Sequence, residues 1–587
     1  MKITLAILLL LVIALLLLPR VGIPASLYVV TPPINNQPVL EKGSLPATCL
    51  QGNRIELVAC RGEYESGSFV VEAETPLQEV VFSTAPLTGP MMIPLDLQLV
   101  QRVGVAASVG NVAMPWLLVH NPGMLELVHG YSPTVAALSD ALIGPEYHRW
   151  TGLAYKQAHE CWTRLKEPLV DSGSLLPMDI PFREQFWVTV HVPPEAPAGN
   201  YQGSVQITPK NAPPMQVEVS LRVLSFDLLP APYEYSVYHP TDNLDPPLTE
   251  AQLLNDFRSM AAHGLLNPNL YVGPEGEQTG AVSFDRLNHY LDLREQAGLP
   301  KGNLYLFDGA GLVISDRPLT PAEKARTKEV AQQTVAWAKS RGYGGVYFMG
   351  CDEFSGERLK AERESWEAVH SGGAKVYVAC YPDFETLVGD LLDCAVLMDP
   401  DAGVMDYNQW TGTTAEVLRG RGGALLPTQG YWGSGALLQD PYPQILAQQH
   451  QRGYRVFTYM DPVGGSPWPE DHRRCRGLGL WQAGLDGTMT WAWTSYRAAT
   501  PRVIGQEVPL STHGFILRGE QAPLETLALV GFREGYDDAR YLATLQDKIT
   551  HGGVGADAAA AWLKTVTLAT DLSAWRKQVI FWIEVLS

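Results

Sequence analysis

The spacing of apolar residues changes near residue 230 and divides the chain into two parts. Before this point apolar residues recur at every second position: over residues 215–224, Val217, Val219, Leu221 and Val223 alternate with polar side chains. A period of two with one polar face is typical of antiparallel strands that pack on a core through one side. With the Pro- and Gly-rich turns between such segments, it predicts an antiparallel β-sandwich over residues 27–229. Residues 104–180 are less regular and are expected to form long loops over the next domain.

After a stiff Pro-containing linker at residues 229–232, short apolar runs alternate with amphipathic helical patterns. Thr249 and Thr320 are predicted to begin two of the helices as N-caps. Eight apolar runs are predicted as strands, at residues 235–239, 269–272, 304–308, 345–353, 376–379, 395–399, 456–461 and 488–493. This number of alternating units points to a (β/α)8 TIM barrel over residues 233–550. Residues 422–435 do not fit the rhythm and are predicted to form an inserted hairpin.

The carboxyl-terminal part of the chain, from about residue 524 onward, has a helical pattern, and residues 551–587 are predicted as a helical extension. Trp575, Val579, Trp582, Ile583 and Leu586 recur there at helical spacing. Such spacing predicts one buried stripe on a helix. The predicted fold class is therefore a multidomain chain with a β-sandwich, an α/β barrel and C-terminal helices.

The amino terminus has the pattern of an export signal. Met1 and Lys2 precede an apolar run from about residue 3 to residue 18, which Pro19 and Arg20 close. One positive charge before a short apolar segment is typical of a signal peptide, and the run is shorter than the roughly 20 residues of a membrane span. Residues 1–25 are predicted to be a signal peptide or membrane anchor, the protein is expected to be exported, and membrane contact is expected only through this segment.

Composition narrows the classes of partner and cofactor. A chain of 587 residues is too long for a single core, and its net charge of -19 repels phosphate backbones, which excludes nucleic acid as a partner. Seven cysteines without C-x-x-C spacing indicate neither zinc nor a disulfide scaffold. Cys49 and Cys60 are the pair that could form a bridge in an oxidising compartment. No cofactor and no metal is expected.

The candidate catalytic residues are Asp352 and Glu353, at the end of the fourth predicted barrel strand. The carboxyl ends of such strands meet at one mouth, where the catalytic groups of these barrels lie. Carboxylate pairs suit acid/base chemistry on a bond between sugars. Polar and aromatic residues at the same rim are predicted to bind substrate because sugars stack on aromatic faces and donate to carboxylates. They are His239, Asp308, Tyr381, Asp399, Trp432, Tyr459, Asp461, Trp491 and Trp493.

Adjacent residues on a strand point to opposite sides, so Asp352 and Glu353 share one substrate only if the strand ends or bulges there. Such a pair does not suit the usual arrangements of an acid with a water or with a carboxylate nucleophile. It suits a third arrangement, in which the 2-acetamido oxygen of the substrate attacks the anomeric carbon. Glu353 then protonates the leaving oxygen, and Asp352 orients the acetamido N–H.

Five segments of the chain, in the same order, resemble glycoside hydrolase family 123 and the uncharacterised proteins that share its architecture, the latter more closely. They are LVACRGEYES at residues 57–66, residues 186–201 with their PEAPAG turn, GCDE at residues 350–353, WAW at residues 491–493 and FREGYDDARYL at residues 532–542. The resemblance implies a β-sandwich followed by a (β/α)8 barrel that acts on β-linked N-acetylgalactosamine by substrate assistance. It assigns acetamido orientation to Asp352 and the general acid/base role to Glu353.

Two other functions stay open at this point. The first is a cell-surface glycan-binding or structural protein whose barrel no longer catalyses. The second is a hydrolase for another sugar, with Asp461 or Asp399 as the nucleophile.

A further acidic group lies on a predicted helix and consists of Glu534, Asp537 and Asp538. Arg533 and Arg540 lie at ion-pair spacing on the same helix, and this favours a structural role.

Overall fold

The computed structural model describes residues 25–107, 110–129, 161–241, 247–277, 279–398, 441–459, 462, 464–494, 507–508 and 514–587. The predicted leader and the predicted hairpin at residues 422–435 lie outside these residues. Within the described ranges, no helix combines the length and the apolar character that crossing a bilayer requires.

The amino-terminal part consists mainly of two β-sheets. Its strands are β1 (Ala25–Val30), β2 (Cys49–Gln51), β3 (Arg54–Ala59), β4 (Tyr64–Ala73), β5 (Leu77–Thr88), β6 (Met92–Ile93), β7 (Asp96–Ala107), β8 (Gly110–Val119), β9 (Leu125–His129), β10 (Cys161–Leu165), β11 (Met178–Ile180), β12 (Arg183–His191), β13 (Gly199–Thr208) and β14 (Met215–Val223). One sheet has the order β2-β1-β4-β12-β7-β8, and the other has the order β11-β5-β13-β14-β3, with β6 paired to β5.

The two sheets share one hydrophobic core. Phe69 and Val188 enter it from the first sheet, and Leu57, Val205 and Val219 enter it from the second. Buried and exposed residues alternate along β14, as the sequence predicts. All neighbouring strands are antiparallel except β14 and β3, which run parallel.

The expectation of long loops over residues 104–180 is wrong for much of its described part. Strands β7 and β8 form a hairpin, and β9 and β10 pair beside it. Residues 114–120 are buried on both faces of β8, since Leu117 and Val119 contact the shared core while Leu118 packs against Leu527 and Val530. A strand covered on both sides has a continuous apolar run rather than an alternating one, so the period of two is lost.

The predicted bridge between Cys49 and Cys60 is not present. Cys49 and Cys60, whose spacing would allow a bridge, are both free thiols. Cys60 is buried, and the Tyr541 hydroxyl lies 3.7 Å from its sulfur. Cys60 therefore packs against the carboxyl-terminal part of the chain.

The second part of the chain is built on a curled sheet of seven parallel strands. They are β15 (Glu234–Val237), β16 (Leu304–Leu306), β17 (Val346–Met349), β18 (Lys375–Cys380), β19 (Cys394–Leu397), β20 (Arg455–Thr458) and β21 (Gly487–Thr490), in the order β15-β21-β20-β19-β18-β17-β16. Each coincides with one of the eight predicted strands. Short strands β22 (Glu507–Val508), β23 (Ile516–Leu517) and β24 (Leu524–Glu525) follow them in the chain.

The remaining predicted strand, at residues 269–272, lies between the two edges of the curled sheet. Asn267 and Asn269 donate their backbone N–H groups to Tyr235 and Val237 on β15, at 3.0 Å each. On the other side, Leu270 donates to Tyr305 on β16 at 2.9 Å. The segment therefore hydrogen-bonds to both edges of the sheet. Its β-pairing is limited to one isolated parallel bridge, between Leu270 and Leu306, so it does not form a regular strand.

Helices cover the outside of the curled sheet and extend to the carboxyl end. They are α1 (Glu250–Ala262), α2 (Asp285–Gln296), α3 (Pro321–Ser340), α4 (Gly356–Ala361), α5 (Arg363–Ser371), α6 (Phe384–Leu387), α7 (Tyr442–Arg452), α8 (Pro469–Arg474), α9 (Leu480–Ala483), α10 (Leu527–His551), α11 (Ala556–Leu563) and α12 (Leu572–Leu586). The predicted caps are confirmed: Thr249 and Thr320 each form a capping box at the start of α1 and α3.

The predicted stripe on α12 is also confirmed. Trp575, Val579 and Ile583 are buried in one apolar cluster, and Trp582 and Leu586 pack against it. The cluster includes Tyr541, Leu542 and Leu545 of α10 and Cys60 and Leu224 of the amino-terminal part. Helix α12 is therefore held against both parts of the chain.

Two of the segments that resemble family 123 meet in a buried ionic network, here called the interdomain network. It consists of Glu63, Glu65, Arg473, Glu534, Asp537, Asp538, Arg540, Tyr541 and Arg576. Arg576 of α12 binds Asp538 and Glu534 at 2.6 Å each, and Arg473 of α8 binds Asp538 at 2.7 Å. The acidic residues of α10 thus have the structural role that their spacing favours.

Candidate active site

Alternation along the strands decides which side chains face the inside of the curled sheet. Tyr235 and Val237 on β15 pack outward, against the helices, whereas Tyr238 packs inward. The same alternation on the other strands gives an aromatic interior, because inward positions pack together in such sheets. Its buried aromatic members are Tyr238, Tyr271, Tyr305, Tyr347, Tyr377, Phe457 and Tyr459, with Phe307, Tyr381 and Trp491 partly buried against them.

The strand that carries the candidate acids ends in a bulge. Gly350 donates its N–H to Tyr377 at 2.8 Å, and the next N–H given to β18 comes from Glu353, which donates to Ala379 at 3.0 Å. The step from Gly350 to Glu353 is three residues, whereas the step from Tyr377 to Ala379 on β18 is two. The segment after β17 therefore has one residue more than a regular parallel ladder allows. The backbone of Glu353 has φ of 56°, in the left-handed region that is uncommon for residues other than glycine.

The bulge changes which residues face inward. Met349 is an inward residue, so regular alternation would place Cys351 inward and Asp352 outward. The extra residue reverses this, and the Asp352 charge instead acts on the inward tyrosines Tyr238 and Tyr377. Backbone strain of this kind is concentrated at functional sites in proteins. The bulge therefore leaves Asp352 at the exposed edge of the aromatic interior.

Both acids keep contact with solvent and lie near one tyrosine. Asp352 and Glu353 are exposed, and Tyr381 is half-buried. Burial raises the pKa of the Tyr381 hydroxyl, and the charges of Glu353 and Asp352 raise it further. The two carboxylates and Tyr381 therefore occupy one electrostatic neighbourhood at the end of β17 and β18.

Asp352 has a strongly shifted protonation equilibrium. Desolvation raises the pKa of its carboxyl from 3.8 to about 7, and the neighbouring charge of Glu353 acts in the same direction. A carboxylate with a raised pKa is a stronger base than an ordinary one. Asp352 is consequently suited to accept a proton or a strong hydrogen bond near neutral pH.

The raised pKa of Asp352 predicts a pH-dependent stability difference. Between about pH 4 and pH 7 the folded protein binds more protons at this site than the unfolded chain does, so the contribution of Asp352 to stability falls as the pH rises through this window. We expect Asp352→Asn to melt at a higher temperature than the wild type at pH 8. The difference should shrink as the pH is lowered to 4. Calorimetry of both proteins at the two pH values tests this, and an unchanged difference would contradict the shift.

The structure brings only some of the predicted substrate-binding residues to this place. Tyr459 is buried in the aromatic interior, its ring centroid 5.4 Å from that of Tyr238, and half-buried Trp491 lies 5.6 Å from Tyr238. Asp308 follows β16 and is exposed, and desolvation raises the pKa of its carboxyl. The predictions for Asp399, Trp432 and Asp461 lie outside the described residues.

Two predicted residues lie elsewhere. His239 is fully buried on the outward side of its strand, with Nε2 3.1 Å from Asp256 of α1, which in turn binds Arg518. Trp493 is fully buried in the core between strands and helices. Trp491 and Trp493 are two positions apart but do not share a face, because β21 ends at Thr490 and strand alternation ends with it. Neither His239 nor Trp493 can contact a ligand in the aromatic interior.

Tyr238 faces the aromatic interior but is not among the residues that the sequence predicts there. It is only 1% exposed, and its hydroxyl has no hydrogen-bond partner within the described ranges. Burial raises its pKa, and the charge of Asp352 contributes to the rise. Strand alternation predicts this direction. Tyr235, Val237 and His239 face outward, so the intervening Tyr238 must face inward.

Comparison with known proteins gives a likeness in fold. No protein-family model matches the chain, and no curated protein matches it in sequence. Among solved structures, a family 123 glycoside hydrolase from Clostridium perfringens, studied for glycolipid glycan hydrolysis, matches with a TM-score of 0.58 and 11% identity over 96% of this chain and 97% of its own. A family 5 xyloglucanase from Bacteroides ovatus matches with a TM-score of 0.32 and 9% identity over 83% and 98%. The resemblance to family 123 is thus confirmed at the level of the fold.

Proposed function

We propose that this protein is a glycoside hydrolase that cleaves β-linked N-acetylhexosaminides with retention of configuration, using the acetamido group of the substrate as nucleophile. The observation that carries the proposal is the bulge after β17, which leaves Asp352 and Glu353, both exposed, beside the tyrosine-lined interior. The fold that surrounds these residues is similar to that of a family 123 glycoside hydrolase.

The architecture we propose is a (β/α)8 barrel joined to an amino-terminal β-sandwich. Residues 267–272, which hydrogen-bond to both edges of the curled sheet, would serve as the eighth strand and close it. The core shared by the two amino-terminal sheets supports the sandwich. In such a barrel, the ends of β17 and β18 open on the catalytic face.

The proposed reaction uses the two acids in different roles. The acetamido oxygen attacks the anomeric carbon and forms a new C–O bond, while the bond from this carbon to the leaving oxygen breaks. Glu353 gives its proton to the leaving oxygen and, in the second step, takes a proton from the water that opens the cyclic intermediate. Asp352 accepts a hydrogen bond from the acetamido N–H, and its raised pKa strengthens this bond as positive charge develops on the ring.

Sugar binding would rest on the aromatic interior. The partly buried Phe307, Tyr381 and Trp491 at its edge offer apolar faces for C–H groups, and Tyr381 lies near both candidate acids. The net charge of -19 does not oppose a neutral glycan. We further propose that residues 1–25 direct export, which would place the enzyme where extracellular glycans are found.

The test compares two substrates that differ only at the 2-position. We expect the purified protein to hydrolyse an aryl N-acetyl-β-galactosaminide or N-acetyl-β-glucosaminide, to leave the matched aryl β-galactoside and β-glucoside intact, and to be inhibited by a thiazoline that mimics the cyclic intermediate. Equal hydrolysis of the substrates without an acetamido group would contradict substrate assistance. Glycan binding without turnover would contradict the catalytic role.

A further inference from the structure

A buried glutamate lies directly behind the turn that carries the candidate acids. Glu362, at the start of α5, is fully buried, and its Oε2 accepts hydrogen bonds from the backbone N–H of Cys351 at 2.9 Å and from the indole N–H of Trp366 at 3.1 Å. Its other oxygen, Oε1, has no partner among the described residues. The carboxylate thus connects the bulge to helix α5.

The backbone N–H of Cys351 has no strand partner among the described residues. N–H groups alternate in direction along a parallel strand, so with the Gly350 N–H given to β18 the Cys351 N–H points toward the β16 side, and β16 ends at Leu306. A backbone donor that is left unpaired inside a protein costs free energy comparable to a lost hydrogen bond. Glu362 supplies the missing acceptor, and an ionised acceptor binds more strongly than a carbonyl.

The same glutamate also fixes the packing below the turn. A Cβ atom at Gly350 would lie 3.1 Å from Cζ2 of Trp366 and 3.0 Å from Cβ of Val378, so the indole is pressed against the backbone just before the acids. Glu362 holds this indole by its N–H while it holds Cys351 by the backbone. The turn is therefore held by packing against the Trp366 indole as well as by its hydrogen bonds to β18 and Glu362.

A carboxyl group in this position does not favour stability. Desolvation raises the pKa of Glu362 to about 7, which means that the surroundings disfavour its charge. A neutral glutamine of the same shape would avoid this cost and still accept hydrogen bonds through its amide oxygen. The hydrogen bond to Cys351 and the unfavourable desolvation of the carboxylate together indicate that Glu362 holds the turn and does not add to the stability of the core.

We propose that Glu362 is a positioning residue that fixes the bulge at Cys351 and thereby the relative placement of Asp352 and Glu353. Its effect on catalysis rests on the proposed function, whereas its effect on the turn does not. Misplacement of a catalytic group by about 1 Å can lower a rate by about 100-fold. A positioning residue should therefore act on kcat more than on KM.

The test measures the turn and the reaction separately in Glu362→Leu and Glu362→Gln. Hydrogen exchange followed by mass spectrometry on the peptide that contains Cys351 is expected to be about 10-fold faster in Glu362→Leu, because the loss of a charged acceptor frees the amide. In the same variant kcat should fall about 10- to 100-fold with KM changed less than about twofold. Glu362→Gln should restore most of both properties, since its oxygen can still accept.

Glu364→Leu is the matched control. Glu364 lies on the same helix and also accepts a backbone N–H, that of Leu319 at 2.7 Å, and it pairs with Lys324; neither partner belongs to the turn. Its loss should change neither the exchange at Cys351 nor kcat. If Glu362→Leu does not fold, Glu362→Gln is used alone at pH 8, where the wild-type carboxyl with its pKa of about 7 is mainly ionised, and it should exchange about threefold faster at Cys351 than the wild type, because a neutral acceptor is weaker than a charged one.

The possible results separate the two proposals. Unchanged exchange at Cys351 would overturn the positioning role, and so would faster exchange with an unchanged kcat. If the wild type hydrolyses no N-acetylhexosaminide, the proposed function fails, and the exchange measurement alone decides whether Glu362 fixes the turn.

Discussion

Glu353→Gln is expected to lower kcat/KM for an aryl N-acetyl-β-hexosaminide by about 10³-fold, within the range for loss of a general acid. The amide has nearly the same shape as the acid but cannot give a proton to the leaving oxygen. The loss should therefore depend on the leaving group. A phenyl glycoside needs protonation and should lose the most, whereas a dinitrophenyl glycoside departs as a stable anion and should lose much less in its first step.

A glutamate next to the site provides the control for this experiment. Glu357 on α4 is exposed and lies 3.6 Å from Lys360, so Glu357→Gln changes the local charge without changing the proposed chemistry. It should retain the wild-type rate with both leaving groups. Full activity of Glu353→Gln on the phenyl glycoside would contradict the acid/base role, and an equal loss with both glycosides would contradict the protonation of the leaving oxygen.

Most of the second part of the fold could be predicted from local signals. All seven parallel strands are apolar runs next to glycine, polar or helical segments, and the caps at Thr249 and Thr320 depend on residues three positions apart. Such signals lie within one element and its nearest neighbours along the chain. They predict each of the seven strands of the curled sheet, whereas the eighth predicted strand, at residues 269–272, forms only a single-residue bridge.

The location of individual site residues depended on features that a short sequence window does not contain. The position of Asp352 is set by one extra residue in the ladder between β17 and β18, and the acceptor that completes this bulge, Glu362, is eleven positions away. His239 is predicted to bind substrate because it ends a predicted strand, but the strand register turns it toward Asp256 of α1 and leaves Tyr238 facing inward. Strand alternation predicts the directions of these two side chains, which residue type does not.

Two of the five segments that resemble family 123 have a structural role in this chain, as the ion-pair spacing around Glu534 predicts. The stretch around Glu63 and the stretch around Glu534 are almost 500 residues apart, and they meet only because α10 packs on the amino-terminal part. The Tyr541 hydroxyl donates to Glu63 at 2.8 Å, and Arg533 donates to Ser66 at 2.8 Å. These contacts join the two parts of the chain, so the similarity of these segments reports on domain packing rather than on catalysis.

The interdomain network gives the largest expected effect on stability. Arg576 is buried and faces Asp538, Glu534 and Glu65, at 2.6, 2.6 and 3.7 Å. Arg576→Leu would leave several acidic groups buried without their shared cation, and the removal of one partner from a buried ionic group costs about 3–5 kcal/mol. We expect the free energy of unfolding to fall by this amount in urea titrations followed by tryptophan fluorescence.

An exposed arginine in the same region separates this effect from the loss of any positive charge. Arg222 on β14 binds Glu584 of α12 at 3.1 Å with both side chains partly open to solvent, and Arg222→Leu should cost less than about 1 kcal/mol. Adding Glu534→Gln to Arg576→Leu should recover part of the loss, because it removes one of the charges that the arginine neutralised. If Arg576→Leu is no more destabilising than Arg222→Leu, the interdomain network does not hold the two parts together. If the second substitution makes it worse, the loss comes from packing around α12 and not from unpaired charge.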